Sequence, residues 1–110
     1  MTVLERFKVE IGKAYFADDV YEMYLSENNL IPSATYNKNT MQRDLLLTLL
    51  DCLQALANDI DLYRRTNTEF SDTSEAFQNL RDRILDVEQR INALGEPNSV
   101  VSYLFYGGRR

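Results

Sequence analysis

The chain has 110 residues, 45 % hydrophobic and 26 % charged, the balance of an ordinary folded domain and not of a disordered segment. A net charge of −5, with lysine only at Lys8, Lys13 and Lys38, argues against nucleic acid or an anionic membrane as the primary partner, since phosphate affinity needs clustered positive charge. Histidine is absent, which excludes Ser-His and Cys-His nucleophile systems and any zinc site containing histidine.

In "TVLERFKVEIGKAYFA" the apolar residues Val3, Leu4, Phe7, Ile11, Ala14 and Tyr15 recur at spacings of three and four, the signature of one helix face. Thr2 and Glu5 make a capping box at its start, and Gly12 weakens its far end. A second, short helix follows in "DDVYEMYLSENN", with Asp18 or Asp19 as cap and Val20, Met23 and Tyr24 in step. It stops at Asn28-Asn29. The connector "LIPSATYNKNT" contains Pro32, which forbids helix at Ile31, and Leu30, Ile31 and Tyr36 are expected to pin it to the core.

Asn39 or Thr40 then caps the longest element, "MQRDLLLTLLDCLQALANDIDLYRR", about 38 Å if continuous at 1.5 Å per residue. Asp44, Thr48, Asp51, Asn58 and Arg65 form a narrow polar stripe on it, and the rest of its circumference is mostly leucine, isoleucine and alanine. A helix apolar around most of its girth has to be covered from several sides, so this one is central. Cys52 lies within it and reads as a small buried apolar residue; a single cysteine makes no internal disulfide.

The polar break "TNTEFSDTSE" carries one large apolar residue, Phe70, and Thr73 or Ser74 caps the last helix. There Phe77, Leu80, Ile84, Val87, Ile91 and Leu94 step by three and four, a heptad seam flanked by Arg81, Arg83, Glu88 and Arg90. The seam is short, which favours packing within the domain over a free-standing coiled coil. Gly95, with Pro97 soon after, ends the helix. The expected fold is therefore all-α: about four helices around the long apolar one in a single domain over residues 1–96, with an extended tail over 97–110.

That tail, "VVSYLFYGGRR" at its end, is rich in β-branched and aromatic residues and reads as a strand candidate with no partner strand elsewhere in the chain. Aromatics and arginine are enriched at protein interfaces, so Val100, Val101, Tyr103, Leu104, Phe105, Tyr106, Arg109 and Arg110 are the candidate interface residues. Three readings of the tail stand: docking onto its own domain, docking onto a neighbouring subunit, or a disordered end.

No run of about 18 apolar residues is present, and the charged, amphipathic "MTVLERFKVE" lacks the apolar stretch of a signal peptide, so the protein is expected to be cytoplasmic when made, with no membrane partner. None of the four glycines falls in a G-x-G or P-loop pattern, so no phosphate cradle is expected. Acidic clusters are the remaining catalytic material. Asp18, Asp19 and Glu22 sit at a helix start, where capping accounts for them better than a metal does. Asp59-x-Asp61 begins like a calcium loop, but Arg64 stands where that loop requires glycine. Asp72-x-x-Glu75 resembles a carboxylate pair of all-α nucleotide pyrophosphohydrolases, yet only one such pair is present, at a helix mouth, and capping again accounts for it. The expectation is no catalytic residue, no cofactor, no metal and no small-molecule substrate.

The helix pair beginning "ADDVYEMYLSENNLIP", the tyrosine-bearing connector, the long leucine-rich helix and "FSDTSEAFQNLRDRI" leading into a final helix resemble, in order over residues 15–94, phage head–tail connector (adaptor) proteins. The arrangement is also similar to small helical proteins found in prophage regions. The resemblance implies function by ring assembly between portal and tail, protein partners, a place in the virion, and no catalysis; it carries over no active-site residue. Two other readings stand beside it: a monomeric helical binding or regulatory module whose heptad seam receives a partner helix, and an all-α metal-dependent hydrolase.

Overall fold

The computed structural model describes residues 1–95. These form five α-helices, α1 (Val3–Ile11), α2 (Asp18–Glu27), α3 (Lys38–Ala57), α4 (Ile60–Thr66) and α5 (Thr73–Leu94), and the expected all-α architecture is the one observed. An isolated antiparallel bridge, Thr2 to Thr35, is the β pairing recorded among the described residues.

The expected capping box starts α1: the Thr2 N–H donates to Glu5 Oε1 at 2.7 Å, and the Glu5 N–H donates to Thr2 Oγ1 at 3.1 Å. Helix starts also leave neighbouring N–H groups without intrahelical acceptors. Here the connector supplies them, with Val3 N–H bonded to the Ala34 carbonyl (2.8 Å) and Leu4 N–H to the Pro32 carbonyl (3.0 Å). The helix ends earlier than the apolar spacing implies. Gly12 adopts φ 90°, a left-handed conformation natural to glycine, and takes the chain out of the helix. Tyr15 is still buried, but from the loop that follows, whereas Ala14 is exposed.

In α2 the buried positions are Tyr21 and Leu25, not the expected Val20, Met23 and Tyr24; Met23 is 47 % exposed. Neither Asp18 nor Asp19 is the cap. Ala17 occupies that position without a side-chain bond, and both aspartates lie in the first turn, where they complement the helix dipole. The phasing follows Tyr21, whose hydroxyl reaches back under the preceding loop. It accepts from the N–H groups of Tyr15 (3.0 Å) and Phe16 (3.3 Å) and donates to the Lys13 carbonyl (3.1 Å). In the connector Leu30 is buried and Tyr36 half-buried beneath the Arg6 guanidinium, but Ile31 is 66 % exposed and pins nothing.

Asn37, not Asn39 or Thr40, caps α3, accepting from the Asn39 N–H at 2.9 Å. The long helix expected through Arg65 is divided. α3 stops at Ala57, Asn58 and Asp59 turn the chain, and the Asp59 carboxylate caps α4 through the Leu62 N–H at 3.3 Å. Two adjacent residues with strong capping preferences outcompete helix propagation here. α3 alone is about 30 Å long at 1.5 Å per residue. It touches all four other helices, so the central position inferred from its composition is the one it holds. Its Leu45, Leu46, Leu49, Cys52, Leu53 and Leu56 are each no more than 1 % exposed.

Thr48 departs from the expected polar stripe. It is fully buried, and its hydroxyl is satisfied within the helix by donating to the Asp44 carbonyl at 2.8 Å. Asp72 caps α5, one residue before Thr73, accepting from the Glu75 N–H at 2.9 Å. The α5 seam packs through Ala76, Leu80, Val87 and Ile91, with Ile84 half-buried, while its expected ends, Phe77 and Leu94, are each 43 % exposed. Ala76 takes the position against the core that the heptad count gives to Phe77.

Candidate functional site

Three features carry side chains with a potential role: the acidic clusters, a buried polar cluster at the α4 end, and the face where α3 and α5 meet.

Most of the acidic-cluster side chains serve local structure; the exceptions are Asp19 and Glu22 at the start of α2, which make no side-chain bond among the described residues. Asp18 pairs with Lys8 at 3.0 Å. Asp59 caps α4, and Asp61 binds both Arg64 (3.1 Å) and Arg65 (3.0 Å), which with its hydrogen bond to Arg64 foremost holds its carboxyl below the ordinary range. Glu75 accepts from the Ser71 N–H (2.8 Å) and hydroxyl (2.7 Å) while Asp72 caps the same turn, a reciprocal cap that lowers the Glu75 pKa. Among the described residues no three acidic or cysteine side chains converge to hold a metal.

The buried polar cluster joins three segments. Asn67 Nδ2 donates to the Tyr15 hydroxyl (2.7 Å) and to the Tyr63 carbonyl (2.9 Å), and the Tyr63 hydroxyl donates to Asn79 Oδ1 at 2.6 Å. Tyr63 stacks between Tyr15 and Phe70, with ring centroids 5.4 and 6.0 Å away. Burial raises the Tyr63 phenol above its ordinary value, so it stays protonated as a donor. These groups satisfy one another, which is a structural use: they fasten α4 and the polar break to the α1–α2 loop. Phe70, expected as an isolated apolar residue, belongs to this stack.

Beside this cluster, α5 holds the end of α1. Arg83 donates to the carbonyls of Glu10 (3.0 Å) and Ile11 (2.8 Å), which a helix end leaves without partners. The Glu10 carboxylate, 16 % exposed, lies between Arg6 and Arg90, each at 3.0 Å. Burial acts to raise the Glu10 pKa, but the hydrogen bond and charge of Arg90, then Arg6, outweigh it and leave the carboxyl below its ordinary value.

The α3–α5 face is different in kind. Leu47 and Leu50 lie on the outward side of α3 and are only half-buried. Together with Glu88, Ile91 and Asn92 of α5 they line a shallow groove of about 430 Å³. At the end of α5, Arg43 Nη1 donates to the Gly95 carbonyl at 3.3 Å and ties that helix end to α3. A second cleft, of about 360 Å³, adjoins Gly95 between Lys38, Thr40, Arg43 and Leu94. Further along α5 the outer surface bears Leu85, 48 % exposed, and Phe77. The groove was missed at the sequence level because the polar stripe pointed elsewhere: burial of Thr48 is compatible with open sides at Leu47 and Leu50.

The candidate interface residues Val100, Val101, Tyr103, Leu104, Phe105, Tyr106, Arg109 and Arg110 lie outside the described residues. Cys52 is fully buried, and desolvation pushes its thiol up to about 12, the inert apolar cysteine expected. Among the described residues no helix is long and apolar enough to cross a membrane. No family model, no curated protein and no solved structure matches the chain.

Proposed function

We propose that the chain is a non-enzymatic assembly protein, an oligomeric adaptor resembling phage head–tail connectors, that works through contacts between protein subunits. The observation that carries this reading is the open α3–α5 groove, where Leu47 and Leu50 are only half-buried beside Ile91, together with Phe77, Leu85 and Leu94 exposed elsewhere along α5. The engagement of the acidic clusters in caps and ion pairs supports a role outside catalysis. In this reading the partners are copies of the chain or neighbouring structural proteins, with no cofactor and no small-molecule substrate, and the assembled site is a virion.

Light scattering across a concentration series, on the full chain and on a version ending at Glu96, tests the reading. Oligomers that become monomers on truncation support it. Full chain and truncation that are both monomeric, with equal stability, count against it. The groove also suits the second reading, a monomeric module that receives a partner helix, and that result would favour it. A melting temperature raised by Mg²⁺ or Mn²⁺ would instead revive the hydrolase reading.

A further inference from the structure

We propose that two copies of the chain pair antiparallel along α5, with Phe77 of each copy seated in the α3–α5 groove of the other and Arg81 of each against Glu88 of the other. This rests on the reading of the chain as self-associating, and adds to it a surface, a symmetry and a register.

One side of α5 is left uncovered by its own domain. Phe77, Arg81, Leu85, Glu88 and Asn92 step by four, four, three and four, so they lie in one stripe along the helix. Phe77 is 43 % and Leu85 48 % exposed, while the buried Ala76, Leu80, Val87 and Ile91 lie along a different face. Among the described residues Arg81 and Glu88 have no hydrogen-bond or ion-pair partner. Arg83 and Arg90 of the same helix, by contrast, are tied to α1. Two opposite charges about two turns apart, with apolar side chains between and beyond them, make this stripe complementary to a reversed copy of itself.

Charge selects the register. With a two-fold axis between Ile84 and Leu85, positions equally far from the axis stand opposite each other in an antiparallel pair. Arg81 of each copy then meets Glu88 of the other, and Phe77 comes level with Asn92. Sliding the axis by one turn, to Arg81 or to Glu88, sets that residue against its own copy, like charge on like, which costs association.

The groove selects the same register independently. Phe77 precedes Glu88 by eleven residues, about three turns, so both point to the same side of α5. That is the side on which Glu88 lines the groove with Leu47, Leu50, Ile91 and Asn92. A two-fold axis perpendicular to the paired helices leaves both α3 helices on one side of the pair. Phe77 of the second copy, level with Asn92, therefore points toward Leu47 and Leu50. The shortness of the groove suits an occupant that is one aromatic ring. One helix and one groove edge per copy make a small interface, so dimers are expected at concentrations on the order of tens of micromolar.

Light scattering on the full-length chain and on charge-reversed variants tests the proposal. Arg81→Glu and Glu88→Arg are each expected to weaken the dimer roughly tenfold or more, because each turns two attractive contacts into repulsive ones. An equimolar mixture of the two variants should regain the dimer mass, as should the double variant, since every reversed charge then faces an opposite one. The two reversals move the net charge in opposite directions, so general repulsion cannot produce both losses. Circular dichroism checks the helices; if Glu88→Arg loses them, Glu88→Lys takes its place. A chain that stays monomeric up to about millimolar concentration overturns the inference, as do dimers indifferent to both reversals. Losses that mixing does not restore overturn it in favour of another occupant of the stripe. Oligomers that survive the reversals but are lost on ending the chain at Glu96 leave the adaptor standing without this interface. Dimers rescued by mixing, with no larger particle, leave the interface standing without the ring.

Discussion

Replacing Tyr21 by phenylalanine removes one oxygen atom and little else. The ring would keep its edge-on packing against Phe7, with centroids 5.2 Å apart, so the apolar contribution is unchanged. The lost hydroxyl is the acceptor for two backbone N–H groups and the donor to the Lys13 carbonyl, and these bonds hold the loop between α1 and α2. The Tyr15 N–H sits at a buried hydrogen bond, whereas the Phe16 N–H and Lys13 carbonyl are partly reachable by water. The Tyr15 N–H keeps its other bond, to the Lys13 carbonyl at 3.0 Å, so no buried donor is orphaned outright; what is lost is the net worth of the hydroxyl's bonds, and the variant is expected to lose about 1–2 kcal/mol. For a domain of this size that corresponds to roughly 5–15 °C in Tm. Urea unfolding followed by circular dichroism measures it, with an unchanged m-value confirming that the loss lies in the folded state. Tyr15→Phe is the comparison: it removes one bond from Asn67, whose Nδ2 keeps the Tyr63 carbonyl, and is expected to cost about 1 kcal/mol. A loss below about 0.5 kcal/mol for Tyr21→Phe would refute the reasoning, because water would then be replacing the hydroxyl and the loop would not depend on it.

Leu53→Asp, or Leu49→Asp, places a carboxylate in the core where the leucine is no more than 1 % exposed, and is expected to unfold the protein, seen as lost helical ellipticity. The same substitution at half-buried Leu50 is expected to leave the helices in place. Glu10 has a folded pKa below its ordinary 4.5, so its contribution is present above pH 4.5 and fades as pH falls through the lower folded value; Glu10→Gln should flatten the urea midpoint over that acid range. Tyr21, Tyr24, Tyr36 and Tyr63 all have raised values, chiefly through burial, so stability should fall as pH rises past the ordinary phenol value of 10.0, measured by the same midpoint. A thiol reagent at pH 8 should leave Cys52 unmodified in the native protein and titrate one thiol in denaturant; fast native reaction would mean that α3 opens readily.

The parts of this fold that were legible in the sequence are those decided locally. The Thr2–Glu5 box, the Gly95 stop and the buried leucines of α3 follow from caps and periodicity, and each appears where expected. The α3–α4 break was signalled by Asn58-Asp59, but apolar periodicity running on through Ile60, Leu62 and Tyr63 hid it. What could not be read are the choices made by distant residues. Tyr21 displaces the register of α2 because its hydroxyl has a loop to hold, and Ala76 displaces Phe77 because a small side chain fits against the core. The Asn67–Tyr15 bond spans 52 positions, and no spacing rule reaches so far. The groove between α3 and α5 is legible only once both helices are placed, since its lining comes from two separate patterns.

The bonds that finish α1 set an order of events during synthesis. Its first turn relies on carbonyls at positions 32 and 34, and its last carbonyls rely on Arg83, more than seventy residues downstream. A nine-residue helix is too short to persist alone in water. On the ribosome, therefore, α1 emerges first but has no settled end until most of the chain has followed it. α2 and α3 can pair as a local hairpin in the meantime, because they adjoin in sequence and pack together. Closure by Arg83 then comes late and joins α1 to α5, so of the described helices α1 is the one a nascent-chain protease would find unprotected for longest.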